Sequence, residues 1–145
     1  MKKTILIFSF AFVTLFSFGQ IAQEKARFKN MMIQGAKELN QQLPIFVDEN
    51  TVLTSVLFYD WIWTYRYCIN IDKDDYSQSD MNKFIEEIRQ YVIANHKENI
   101  DTGMYNITRS ELKKLMKATG LKYKYIYLDR NNKLVGTFNL TYLNF

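Results

Sequence analysis

The chain has 145 residues, of which 48% are hydrophobic and 16% aromatic, a length and composition that suit one folded domain rather than several. Its net charge of +4 comes from 19 basic and 15 acidic side chains, with Lys2 and Lys3 among the basic ones, and no groove-reading motif accompanies it, which argues against nucleic-acid binding. A single cysteine, Cys68, rules out an internal disulfide, and a single histidine, His96, leaves too few ligands for a structural zinc site.

Lys2 and Lys3 precede an apolar run from Ile5 to Phe18, broken only by Ser9, Thr14 and Ser17. Ser17 and Gly19 then have the small-residue spacing that a signal peptidase reads. Residues 1–19 are therefore expected to be a signal peptide cut between Gly19 and Gln20, leaving 20–145 as a single exported domain. The run is shorter than the roughly 20 residues of a spanning helix, so no membrane span is expected after cleavage. No cysteine lies near the cut to carry a lipid.

Residues 22–42 form an amphipathic helical pattern in which Phe28, Met32, Gly35/Ala36, Leu39 and Leu43 share one stripe. Lys25, Lys29, Asn30, Lys37 and Gln41 fall elsewhere, and Pro44 ends the helix. Beyond Val52 the period changes to two. Trp61, Trp63, Tyr65, Tyr67, Ile69 and Ile71 lie on one strand face, with Ile62, Thr64, Arg66, Cys68 and Asn70 on the other. The strand-like run from Val52 to Tyr59 precedes it, with Asp60 near the turn, so the two segments predict an antiparallel hairpin.

A polar loop from Asp72 to Asp80 follows, and Ser79 or Asp80 is placed to cap the next helix. Met81, Phe84, Ile85, Ile88 and Val92 mark that helix to about Asn95. A further short helix starts at Thr108, where Thr108 and Glu111 have capping-box spacing, and Gly120 suits its left-handed end. Leu121, Tyr123, Tyr125 and Tyr127 then alternate with Lys122, Lys124, Ile126 and Leu128. The turn is Asp129–Asn132, and Leu134, Gly136, Phe138, Leu140 and Tyr142 share one face of the last strand. The predicted order is α-ββ-αα-ββ: an α+β domain with an antiparallel four-stranded sheet of two hairpins and helices on one face.

Candidate chemistry is sparse. Asn70, Asp72, Asp74 and Asp75 form an oxygen-rich loop, but a calcium-binding EF-hand loop wants glycine and glutamate where Asp75 and Met81 stand. A solvated loop whose carboxylates face the next helix is the expectation, with no metal or other cofactor. His96 is expected to sit near a helix C-terminus as a cap, and Cys68 to be a buried thiol acting as a small apolar side chain. Asp48, Glu49 and Asp60 offer carboxylates for a glycosidase-type pair, with nothing to single out any two. The aromatic surplus on strands is the main anomaly. Trp61, Trp63, Tyr65, Tyr67, Tyr123 and Tyr125 are the candidate binding residues, either as a core face beneath the helices or as a platform for a partner.

Leu43-Pro44-Ile45-Phe46-Val47-Asp48-Glu49-Asn50-Thr51, followed by Leu53 and by Tyr65-Arg66-Tyr67, resembles a set of small exported bacterial proteins of unknown function. Their pattern is Leu-Pro-x-x-Val-Asp-x-x-Thr-x-Leu, then a Tyr-x-Tyr strand, helices and a C-terminal Tyr-x-Tyr hairpin, for which Tyr123, Tyr125 and Tyr127 stand here. Many relatives carry a cysteine pair that this chain lacks. The resemblance implies export and a shared fold, and no particular activity. Within the motif, Asp48 and Thr51 are expected to hold the turn into the first strand through backbone amides.

The resulting expectation is a soluble bacterial protein, periplasmic or secreted, that binds a protein partner in the cell envelope without catalysis. Two alternatives stand beside it: a small hydrolase or ligand-binding domain using Asp48 and Glu49, and an inhibitor or immunity-type protein.

Overall fold

The computed structural model describes residues 21–104 and 107–145. The expected signal peptide and its cut at Gly19 lie outside the described residues. Helix α1 spans Ile21–Asn40, and its stripe of Phe28, Met32, Ala36 and Leu39 is buried. Strand β1, Ile45–Phe46, is followed by β2, Thr51–Tyr59, and β3, Ile62–Ile69. A 3-10 turn at Lys73–Asp75 leads to α2, Gln78–Asp101, and then to α3, Arg109–Thr119. Strands β4, Lys122–Asp129, and β5, Leu134–Leu140, complete the sheet before a last 3-10 turn at Tyr142–Asn144. No described helix is long and apolar enough to cross a membrane.

The α+β class and both hairpins are as predicted, but the sheet differs. It has five strands in the order β1-β2-β3-β4-β5, and β3 pairs with β4 in parallel. Helix lengths explain this. The 24 residues of α2 carry the chain back by about 36 Å, and the 11 residues of α3 are too few to cancel that return at about 1.5 Å each. Strand β4 therefore begins beside the start of β3, as a helical crossover requires. The added strand β1 is only 2 residues long and pairs Ile45 with Leu53 and Phe46 with Val52.

The β2–β3 connection is Asp60-Trp61, both at positive φ (48° and 59°), the two-residue turn whose twist matches a hairpin. Trp61 is held there by stacking on Phe28 at 6.1 Å and by an edge contact to Phe58 at 5.8 Å. A register shift between Leu53 and Ser55 inserts Thr54, whose hydroxyl donates to the Arg66 carbonyl at 3.1 Å. The extra residue resets the alternation, so Leu53, Val56 and Phe58 all face the core.

Helix caps follow the sequence closely at α3: the Thr108–Glu111 box forms, and Gly120 ends the helix at φ 74°. At α2 the cap is Ser77, earlier than the expected Ser79 or Asp80, and the helix runs beyond Asn95 to Asp101. The β4–β5 turn is organised by Asp129, whose buried carboxylate accepts from the backbone N–H groups of Lys73, Asn131 and Lys133 at 2.8–3.0 Å. Burial pushes this carboxyl up, but the three donors outweigh it and hold it below the usual range.

Asn40, at the end of α1, bonds Val56 on both backbone groups. Its Oδ1 accepts from Val56 N–H at 3.1 Å, and its Nδ2 donates to the Val56 carbonyl. Past β1, the free edge of β2 is thus met by a side-chain amide in place of another strand.

Candidate functional site

The aromatic residues of β3 and β4 stand on the same face of the sheet because parallel pairing sets Tyr65 beside Tyr125 and Tyr67 beside Tyr127. Their rings stack across the strands at 5.1 Å and 5.0 Å, and Phe138 of β5 continues the layer against Tyr125 at 4.9 Å. Part of this layer is sealed. Trp63 is 1% exposed and belongs to the core, so at this position the core reading of the aromatic face holds and the platform reading does not. Trp61 is occupied at the hairpin tip, and Tyr123 stacks on His96 at 5.5 Å.

The rest of the layer is the floor of a groove of about 310 Å³, where Tyr65, Tyr67, Tyr125 and Tyr127 lie beside Leu53. One wall is a stripe of α2 at three- and four-residue steps: Phe84, Glu87, Ile88, Tyr91, Val92, Asn95 and His96. The opposite wall is Leu39 from α1 with Ile45, Val47, Asp48 and Thr51. The groove exists because α1 and α2 cover different strands. Helix α1 packs on β2, and α2 packs on β5, leaving β3 and β4 roofed only in part.

The floor stays uncharged near neutral pH. Burial pushes the phenol groups of Tyr67, Tyr125 and Tyr127 above their ordinary range, and for Tyr125 and Tyr127 neighbouring tyrosines add to the shift. His96 is a second correction: it is buried in the body of α2, where it was expected to cap a helix end. Its Nε2 shares a hydrogen bond of 2.6 Å with the Tyr125 hydroxyl, and burial depresses its pKa to about 4. A neutral imidazole thus backs the groove floor.

Carboxylates on the groove lining are Asp48 and Glu87, one on each wall, while Glu49 is exposed and lies outside the lining. Asp48 also has its expected local role, accepting from Asn50 N–H at 2.8 Å, and the Thr51 carbonyl accepts from Val47 N–H at 2.8 Å. In the acidic loop, Asp72 accepts from Asp74 N–H and Asn131, and pairs with Arg130 at 3.4 Å. Asp74 pairs with Lys133. Among the described residues no group of histidine, cysteine, aspartate or glutamate side chains is arranged to hold a metal.

Of the six expected binding residues, Tyr65, Tyr67 and Tyr125 line the groove. Sequence reasoning missed Glu87, Tyr91 and Asn95, although they extend the helical stripe already marked by Phe84, Ile88 and Val92.

The α+β sheet thus carries an apolar, tyrosine-floored trough between α1 and α2. Solved structures share this fold. A Pseudomonas aeruginosa protein inferred to be secreted superposes with a TM-score of 0.58 at 14% identity, covering 83% of this chain and 95% of its own. EpsS, the type 2 secretion system pilotin of Vibrio vulnificus, gives 0.58 at 15% identity over 85% and 96%. AspS, the type II secretion system pilotin of Vibrio cholerae, gives 0.57 at 15% identity over 88% and 100%. At these identities the likeness is one of fold. No family model matches the sequence, and no curated protein matches it either.

Proposed function

We propose that this chain is an exported bacterial envelope protein that binds a protein partner through the groove, in a pilotin-like role within a secretion apparatus. The observation that carries the proposal is the groove itself: an apolar trough with an uncharged tyrosine floor and a carboxylate on each wall. Such a site suits an apolar segment of another protein whose stripe is flanked by lysine or arginine, since apolar anchors supply affinity and rim charges supply orientation. Two of the proteins sharing the fold are pilotins, and the signal-peptide pattern at residues 1–19 supports export. The residues of the family-like motif support the same reading, because Val47, Asp48, Thr51, Leu53 and both Tyr-x-Tyr pairs face the trough.

A photo-crosslinking side chain at Tyr91, inside the groove, compared with one at Leu143, outside it, tests the proposal in cells. Capture of one secretion-system component from position 91 alone, abolished by Val92→Asp in a folded protein, is the expected outcome. Equal capture from both positions, or capture that survives Val92→Asp, overturns it.

A further inference from the structure

Helices α1 and α2 pack on one face of the sheet, the face to which Gly136 turns toward Ile85 of α2. Among the described residues the other face is uncovered, and Thr64, Arg66, Lys122 and Ile126 stand on it half-buried or exposed. Cys68 lies there too, half-buried, a correction to its expected place in the core; its thiol approaches the Asp129 carbonyl at 3.5 Å. The charge of this face has one sign. Register sets Arg66 beside Ile126 and Lys124 beside Thr64, so Arg66, Lys124 and Lys122 follow one another across β3 and β4 at steps of about 7–8 Å. None of the three forms an ion pair among the described residues, whereas Arg130 and Lys133 are matched to Asp72 and Asp74. Among the described residues the only acidic strand residue is Asp129, buried and bonded at the β4–β5 turn, and Asp60 lies past the strand ends. Like charges within about a Debye length of one another, with no carboxylate between them, repel each other and favour a shared anionic surface.

Apolar tips stand around these cations. Register places Phe46 and Leu134 in one row with Cys68, and Tyr59 in one row with Lys122, all on this face. Phe46 is 72% exposed at one border of the sheet, Leu134 49% at the other, and Tyr59 75% at the end of β2. Strand spacing puts the three tips about 20–25 Å apart, with Arg66 on the central strand between them. A protein interface has the reverse anatomy, an apolar centre inside a polar rim. Long cationic side chains amid exposed Phe, Leu and Tyr are the composition that settles at a membrane surface, where cations meet headgroups and apolar tips reach the acyl boundary.

We propose that the open face docks on a membrane surface rich in anionic phospholipid, with Arg66, Lys122 and Lys124 over the headgroups and Phe46, Tyr59 and Leu134 as shallow anchors. Three cations at about fivefold each make the attachment electrostatic and reversible, and rising salt weakens it. The groove then points away from the lipid and stays open to a partner. The two surfaces are independent, so either can fail while the other stands.

Flotation of the exported, processed chain with vesicles of phosphatidylglycerol and phosphatidylcholine, against vesicles of phosphatidylcholine alone, tests this surface. The expected result is binding to the anionic vesicles alone, falling as salt rises. Arg66→Gln with Lys122→Gln and Lys124→Gln should lower the partition coefficient about a hundredfold while the circular dichroism stays unchanged. Phe46→Ser with Tyr59→Ser should lower it at least about tenfold and leave the salt dependence in place. An environment-sensitive fluorophore on Tyr59→Cys in a Cys68→Ser chain should shift to the blue on binding, and the same probe on Tyr91→Cys in the groove should not. Equal binding to both vesicle types overturns the proposal, as does anionic binding that survives the triple substitution. A folded chain that binds no vesicles overturns it too, and if that chain binds soluble polyglutamate through the same three cations, the face belongs to an acidic protein.

Discussion

The two faces of the sheet are built from the same strands and the same alternation, yet they differ in what apolar side chains do. On the helix-covered face, Trp63, Tyr125, Phe138 and Leu140 are buried, and Tyr65 and Tyr67 close a groove floor. On the open face, Phe46, Leu57, Tyr59 and Leu134 project into solvent. The difference lies in cover, not composition: a strand offers both faces at once, and the helices choose which becomes core.

The largest break in this contrast comes from Trp63→Ala, expected to cost about 3–5 kcal/mol in urea denaturation because it empties a sealed position. Acidification should come next. His96 is neutral and buried with a pKa of about 4, against 6.5 for the free side chain, so the unfolded chain takes up the proton first as pH falls. Its effect is a loss of stability that starts near pH 6.5, is complete near pH 4 and amounts to about 3 kcal/mol. Measured as the difference between wild type and His96→Gln across pH, that loss should be absent from the variant. Gly136→Ala should cost about 1–3 kcal/mol, because the added methyl would lie 2.5 Å from Cγ1 of Ile85. Ile85→Ala in the same chain should recover part of that cost, and strict additivity of the two substitutions would show that the contact is not the cause. Smallest of all, Tyr59→Ser on the open face should change the stability of the isolated chain by less than about 0.5 kcal/mol.

Local features were legible in the sequence because local chemistry fixes them. The stripe of α1, the Thr108–Glu111 box, the left-handed Gly120 and the turn at Asp129–Asn132 all rest on residues near one another in the chain. Parallel pairing of β3 with β4 was not legible, since it depends on the unequal lengths of α2 and α3, and the end of α2 was read too early. Strand β1 is too short to carry a period. The candidate site was half visible. Its tyrosines stood out, but Phe84, Ile88 and Val92 carry the pattern of an ordinary core stripe, and only the separation of α1 from α2 turns them into a wall. His96 was misread for a related reason, because its buried partner Tyr125 lies 29 residues away.

Asn40 has a consequence for assembly. A sheet of five strands has two borders, and β5 forms one of them along seven residues. At the other, β1 covers part of β2, and the Asn40 amide occupies the backbone groups of Val56 beyond it. Without that amide, the exposed stretch of β2 and the border of β5 would be two unlike edges able to pair between successive molecules. A head-to-tail contact of that sort has no closing symmetry and propagates as a filament. One side-chain amide at the end of a helix thus fills, on the border of β2, the hydrogen-bonding places of Val56 that another strand would otherwise take.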